Sequence, residues 1–396
     1  MPSVDQIKEL AKKYTALVTE ARHHLHQHPE LSFEEFETSK YICSILDKLK
    51  IPHTTGHVKT GIVVLLKGKN PDKKVILLRA DMDALPITEQ NNVAYTSKNS
   101  GVMHACGHDV HSACALGAAA ILNETKEDWE GTVKIIFQPG EELLPGGASL
   151  MIKDGVLKNP SVSKAIAQHV HPSMEVGKVG FRSGMYMAST DEIYLTIIGK
   201  GGHAAMPADY NNPLLIAAEV LLELKKLFPN DGKKDPPTVL AFGDISGKGA
   251  TNVVPDKVEL KGTFRTMNEE WRKEAHSVIT KTVNTICEKN NSKAELNICI
   301  GYPFLVNDRN LTELCRNAAI DYLGKENVEE LPMRMTAEDF AFFSQELPVC
   351  FYRLGTGNRS KGITSGVHTP TFNIDEAALP IGAGLMAWLA IAELQS

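Results

Sequence analysis

Long runs of like charge are missing from this sequence. The net charge is −6 and no basic tract stands out, so nucleic acid is not expected as a partner. No apolar run reaches the roughly 18–20 residues of a membrane helix, so no membrane partner is expected either. The opening Met1-Pro-Ser-Val-Asp-Gln-Ile-Lys8 lacks the charged-then-apolar layout of a secretory leader. A disulfide framework is also absent. The seven cysteines, at 43, 106, 114, 287, 299, 315 and 350, are odd in number and scattered, which fits a reducing cytoplasm. Repeats and low-complexity tracts are not found. The remaining composition, 43% hydrophobic and 23% charged over 396 residues, is that of an ordinary globular protein whose length favours two domains.

Against this plain background one stretch stands out. Met103-His-Ala-Cys-Gly-His-Asp-Val-His111 carries a cysteine, three histidines and an aspartate. Further on, Phe137-Gln-Pro-Gly-Glu-Glu142 adds two adjacent carboxylates behind a strand-like run. Cysteine, histidine and carboxylate together make the ligand set of a borderline metal, zinc first, with manganese or cobalt also suited. A carboxylate beside such ligands is what metal-assisted hydrolysis needs to carry a proton.

Apolar spacings of three and four predict helix over much of residues 5–50. Short apolar runs at 61–66, 75–78, 132–137 and 165–167 then read as buried strands, with helices between them at 111–125 and 146–157. This is the α/β pattern of an open sheet covered on both faces. The rhythm changes near 185. A β-α-β-β-α-β order follows, with an alternating strand at 191–199, helices from Pro213 to Phe228 and at 268–289, and strands at 238–245, 257–266 and 294–300. A Lys/Asp/Pro-rich loop follows Phe228. From about 308 the α/β rhythm returns and ends in an apolar helix at 376–394. One catalytic domain (1–186 and 301–396) interrupted by a smaller α+β insertion (187–300) accounts for the whole.

Asp81 and Asp83 follow the run at 75–78, Glu141 and Glu142 follow 132–137, and His169 follows 165–167. Each is expected just past the carboxyl end of a strand, where open α/β sheets build their sites. Cys43, Cys114, Cys287, Cys299, Cys315 and Cys350 are expected as small core residues. The tract Arg22-His-His-Leu-His-Gln-His28 is expected to cap, to pair with carboxylates or to face solvent. His53, His57 and His276 are expected at the surface, and His104, His111 and His171 beside the ligands.

Eight motifs now stand in order: His26-Gln-His-Pro-Glu-Leu31, Leu78–Pro86, Met103–Asp109, Phe137–Glu142, Gly199–Pro207, Thr251–Asp256, Ala337–Phe340 and Val367–Pro370. In this order and spacing the chain resembles the M20 metallopeptidase family, and within it the amidohydrolase branch of hippurate hydrolases, N-acyl-amino-acid hydrolases (aminoacylase-like), auxin-conjugate hydrolases and N-acetyldiaminopimelate deacetylases. The resemblance implies a zinc-peptidase-like α/β catalytic domain with an inserted ferredoxin-like lid and dimerisation domain. It implies two divalent metal ions, zinc or manganese with cobalt or nickel also possible, held by Cys106, His108, Glu142, His169 and His368. Glu141 matches the general base. His203 matches a histidine that reaches the partner subunit's site, and Asn252 and Arg265 match residues that hold the substrate carboxylate. The wider family has a histidine where Asp81 stands, so Asp81 and Asp83 are expected to orient ligands and tune their basicity. Gly140, often alanine in this branch, is expected to matter only as a slightly freer turn.

The activity so implied is cleavage of the amide of an N-acyl amino acid to a carboxylic acid and a free amino acid. A dipeptidase or carboxypeptidase with the same site is the nearest rival, and a silent metal-binding homologue the more distant one. The working unit implied is a homodimer or higher homo-oligomer through the insertion, with strand 191–199 pairing edge to edge across the two-fold axis.

Overall fold

The computed structural model describes residues 2–229 and 235–396. Most of the Lys/Asp/Pro-rich loop expected after Phe228 lies outside them. The chain divides into two compact units, Met1–Tyr186 with Val306–Pro332 and Asp339–Ser396, and Met187–Leu305 with Met333–Glu338. Residues 301–305 and the returning segment 333–338 thus lie with the insertion rather than with the catalytic unit.

The first unit is built on an eight-stranded mixed sheet. Its order is His53–His57, Gly61–Lys67, Thr132–Gln138, Val75–Asp81, Lys164–Glu175, Val349–Gly357, Val179–Phe181 and Val328–Glu330. The central strands 132–138, 75–81, 164–175 and 349–357 run parallel. Strands 75–81 and 132–138 are buried at every position. This is why they read as continuous apolar runs rather than alternating ones. The helix His108–Glu124 packs on this sheet and is buried from His108 to Leu122. The terminal helix Ala378–Gln395 is long and apolar enough to cross a membrane, although the sequence offered no unbroken apolar run of that length; 78% of the span is buried. It contributes Leu379, Ala383, Leu385, Leu389 and Ile391 to the core of this unit, at about 25 cal/mol per Å² of apolar surface removed from water.

The second unit is a four-stranded antiparallel sheet ordered Thr238–Ser246, Lys257–Thr266, Asp191–Ile198, Lys293–Ile300. With the helices Pro213–Leu227 and Glu269–Lys289 it has the ferredoxin-like order. Along Asp191–Ile198, Ile193, Leu195 and Ile197 are buried while Glu192 and Tyr194 are exposed. The buried set packs with Ile216, Val220, Leu224, Ile279 and Val283 from the two helices. One expectation fails here. Strand Asp191–Ile198 is paired on both sides and has no edge to offer a partner. Alternation reports a half-buried face but not which strands lie alongside.

Candidate metal centre

The cysteine motif enters a helix through Gly107. This residue sits at φ +84° as the N-cap of His108–Glu124, a conformation glycine adopts without strain. A Cβ there would come within 2.6 Å of the Val170 side chain. Cys106 and His108 thus flank a residue that only glycine fills easily. Asp81 closes its strand, and Glu141 and Glu142 follow Gln138 by a Pro-Gly turn. His169 departs from expectation, because its strand runs on to Glu175. The apolar pattern stops at Ala167, but the ladder continues with Arg353 opposite His169. Pairing with Val75–Asp81 ends at Arg79↔Ala167, so His169 still lies beyond the paired end on that side.

These elements converge. Cys106, His108 and His169 bring their ligand atoms within 4.8 Å of one another, as do Cys106, Glu142 and His368, and His108, Glu141 and Glu142. All five expected ligands and Glu141 are therefore in one cluster, with Cys106 common to two groups. His169 Nε2 lies 3.5 Å from Cys106 Sγ, and His368 Nε2 lies 3.3 Å from that sulfur and 3.1 Å from Glu142 Oε1. His368 is held at φ +61°, its amide donating to the Ala105 carbonyl at 2.7 Å.

The surrounding hydrogen bonds aim these groups. His108 Nδ1 faces the Asp83 carbonyl at 2.9 Å and Asp83 Oδ1 at 3.1 Å, which assigns a proton to Nδ1 and turns Nε2 towards the cluster. His169 Nδ1 likewise donates to the Val170 carbonyl at 2.8 Å. His108 Nε2 is buried without any hydrogen-bond partner, which is costly for a polar atom unless a ligand satisfies it. Electrostatics point the same way. Burial, then Glu142, Glu141 and Asp81, push the Cys106 thiol well above its ordinary pKa. Burial alone would lower His108, yet Asp81 and Asp83 raise it to about 10. A site crowded with acceptors whose charges oppose one another fits a cation well. The donor set of thiolate, imidazole and carboxylate suits a borderline divalent metal.

Asp81 sits in a buried network of its own. Arg79 bonds it from two residues back on the same strand, and His111 Nδ1 donates to its Oδ1 at 2.5 Å. Burial works against ionisation here, but Arg79, His108 and His111 hold the Asp81 carboxyl well below the usual range. Arg79 also reaches Asp339 Oδ1 at 2.7 Å and Gln138 Oε1 at 3.0 Å. Asp339 in turn accepts from Gln138 and from the Ala148 amide, and its own amide lies 3.4 Å from Glu141 Oε1. Sequence analysis missed Arg79, Gln138 and Asp339. The available signal was a charged pair, Arg79 and Asp81, on one face of an otherwise apolar strand.

The histidine tract behaves as expected: His26 bonds Asp109 and Glu89, His23 bonds Glu376, and Arg22 bonds Asp109. His104 and His171 belong to none of the metal-type groups found among the described residues. Three expectations change. His276 is not a bare surface residue but bonds the buried Asp191 at 2.7 Å. Cys43 and Cys299 are only half-buried. Gly140 lies at φ +62°, and a Cβ there would meet the Phe33 ring at 2.4 Å. A substitution at that position therefore has to displace the ring.

In the second unit, exposed His203 pairs in a short antiparallel ladder with Val253. Asn252 lies beside it, its carbonyl accepting the Ala204 amide at 3.0 Å. Arg265 stands apart, half-buried on strand Lys257–Thr266, and donates to the Met335 carbonyl at 3.1 Å. It lines a groove of about 480 Å³ with Glu192, Tyr194 and Lys261.

The profile of peptidase family M20/M25/M40 matches residues 77–392. The chain belongs to this family. An M20 protein so built is a metal-dependent amide hydrolase. It is 37% identical over 375 residues to the IAA-amino acid hydrolase ILR1-like 5 of Arabidopsis thaliana, covering 93% of this chain and 85% of that one. It is 36% identical over 358 residues to the N-acetyl-L-cysteine deacetylase of Bacillus subtilis, covering 90% and 83%. Among solved structures it resembles the YXEP protein of Bacillus subtilis, described as a dinuclear metal-binding peptidase of family M20, with TM-score 0.82 and 32% identity over 97% and 99% of the two chains.

Proposed function

We propose that this M20 enzyme hydrolyses the amide of N-acyl amino acids, with Glu141 as general base and with Cys106, His108, Glu142, His169 and His368 as ligands of two divalent ions. The observation that carries this reading is the convergence of those five donors on one another with Glu141 among them. Bound cations supply Lewis acidity for the attacking water and for the developing oxyanion. Glu141 takes the proton of that water and delivers it to the departing nitrogen, since an unprotonated amine leaves poorly. Asp83 and the Val170 carbonyl keep the Nε2 lone pairs of His108 and His169 turned inward. The thiolate favours zinc, while carboxylates also admit manganese, cobalt or nickel.

His203, donated by a partner subunit, is the proposed second stabiliser of the oxyanion, and Asn252 and Arg265 are the proposed holders of the substrate carboxylate. The dimer face is assigned to the outer strand Thr238–Ser246 and the helix Pro213–Leu227. Leu215 and Leu222 of this helix are 68% and 63% exposed, and Ile245 lies exposed on the strand. An unpaired edge next to an apolar helix face is a natural two-fold contact.

The resemblance to an M20 peptidase supports one rival, a dipeptidase using the same donors. Hippurate, N-acetylmethionine and a dipeptide panel, each with and without chelator, separate the two. Faster cleavage of free-amine dipeptides than of every N-acyl substrate overturns the proposed substrate class. Activity that survives complete metal removal overturns the metal-dependent reading.

A further inference from the structure

Glu35 is fully buried, yet no step above uses it. Its Oε1 accepts the Phe33 amide at 2.8 Å and the Gly140 amide at 2.9 Å, and its Oε2 accepts the Thr60 hydroxyl at 2.7 Å. Gly140 immediately precedes Glu141. On the other side, the Glu142 amide donates to Asp83 Oδ2 at 2.9 Å, an oxygen that also accepts Ser32 Oγ at 2.7 Å. The residues on either side of Glu141 are therefore each held at their amide by a buried carboxylate, and the Gly140 carbonyl accepts the Gly147 amide at 2.9 Å. The segment that carries Ser32, Phe33 and Glu35 is itself tied down, since the Ala84 amide donates to the Glu30 carbonyl at 2.8 Å and Leu31 bridges Ala84.

We propose that Glu35 is a positioning residue, which holds the Gly140 amide and so sets the direction in which Glu141 presents its carboxylate. The proposal rests on Glu141 being the general base. Gly140 lacks a Cβ and sits at positive φ, so its backbone has more freedom than any other residue would allow and needs an external restraint. A general base works only within hydrogen-bond reach of its proton, and misplacement by 1 Å costs on the order of 10²-fold. The acceptor oxygen rather than the charge is the working feature. Burial and the neighbouring Asp83 push the Glu35 carboxyl up to about 7, so near neutral pH its protonated form, which glutamine copies, is well populated.

The test compares metal-loaded wild type with Glu35→Gln, Glu35→Met and, as control, Glu141→Gln. Glutamine keeps the acceptor, whereas methionine keeps the volume and loses it. Glu35→Gln is expected within about threefold of wild-type kcat, and Glu35→Met down about 10–100-fold with KM and metal content unchanged. Hydrogen exchange of the peptide spanning 137–143 reports the turn without turnover, and is expected to be faster in Glu35→Met than in Glu35→Gln. Wild-type kcat and exchange in Glu35→Met overturn the proposal. So does a loss in Glu35→Gln as large as in Glu35→Met, or a fall in metal content and Tm that tracks kcat. Full activity of Glu141→Gln in the same assay is a different failure, overturning the base assignment itself.

Discussion

His111 gives its Nδ1 proton to Asp81 while its Nε2 accepts the Val170 amide at 2.9 Å. Both ring nitrogens are thereby used, so His111 is not available as a metal ligand although it lies beside Asp81 and His108. The Val170 carbonyl accepts from His169, which makes a continuous chain from Arg79 through Asp81 and His111 to a proposed ligand. Asp81 is thereby linked through His111 to the backbone that holds the His169 side chain.

Asp81→Asn is therefore expected to weaken metal binding about 10–100-fold, the usual effect of losing a group that orients ligands. It also leaves Arg79 without one of its buried partners, so Tm should fall. Titration against a competing chelator, well below the lowered Tm, measures the affinity. An unchanged affinity would show that the chain does not orient His169.

Glu141→Gln should keep its metal and lose kcat by about 10²–10⁴-fold, because the amide is nearly isosteric but cannot accept the water's proton. Elemental analysis and initial rates on the same sample check this. Near-wild-type kcat with intact metal removes Glu141 from the mechanism.

Asp191 offers a pH test far from the ligands in sequence. Burial opposes its ionisation, but His276 and Arg272 outweigh this and hold the carboxyl below its ordinary value. A depressed folded pKa adds stability above the unfolded pKa of about 3.9, and that stability is lost as pH falls through the folded value. Asp191→Asn removes one of the two carboxylates paired with the buried Arg272, which keeps Glu269, and should cost at most about 3–5 kcal/mol near neutral pH. The gap between wild-type and mutant Tm should hold steady down to about pH 5 and narrow as pH falls below about 4. A constant gap would mean that Asp191 acts through packing alone.

Leu215→Glu combined with Leu222→Glu should yield a monomer by light scattering, since both leucines are exposed on the helix assigned to the dimer face. If His203 acts across subunits, mixing inactive His203→Ala with inactive Glu141→Gln should restore up to about half of a wild-type dimer's activity per mixed dimer. An unaltered oligomer in the double glutamate variant would move the interface elsewhere, and failure to complement despite verified subunit exchange would count against a shared site.

Much of this protein was determined by local sequence. Continuous apolar runs marked the buried strands, and alternation marked the half-exposed ones. The spacing of Cys106, Gly107 and His108 put two donors on either side of a glycine at a helix start. The wider organisation followed because period and turn residues are local properties. What the tertiary structure alone decided are relationships between distant segments. Neither the pairing of Asp191–Ile198 on both sides, nor the continuation of the ladder past His169, nor the Phe33 ring over Gly140 is encoded by any local period. The same holds for Glu35 on the Gly140 amide and for Arg79 between Asp81 and Asp339. A side chain's type states what bonds it can make, but only the fold brings up the partner. In a buried site the partner decides whether a histidine such as His111 is a ligand or a prop.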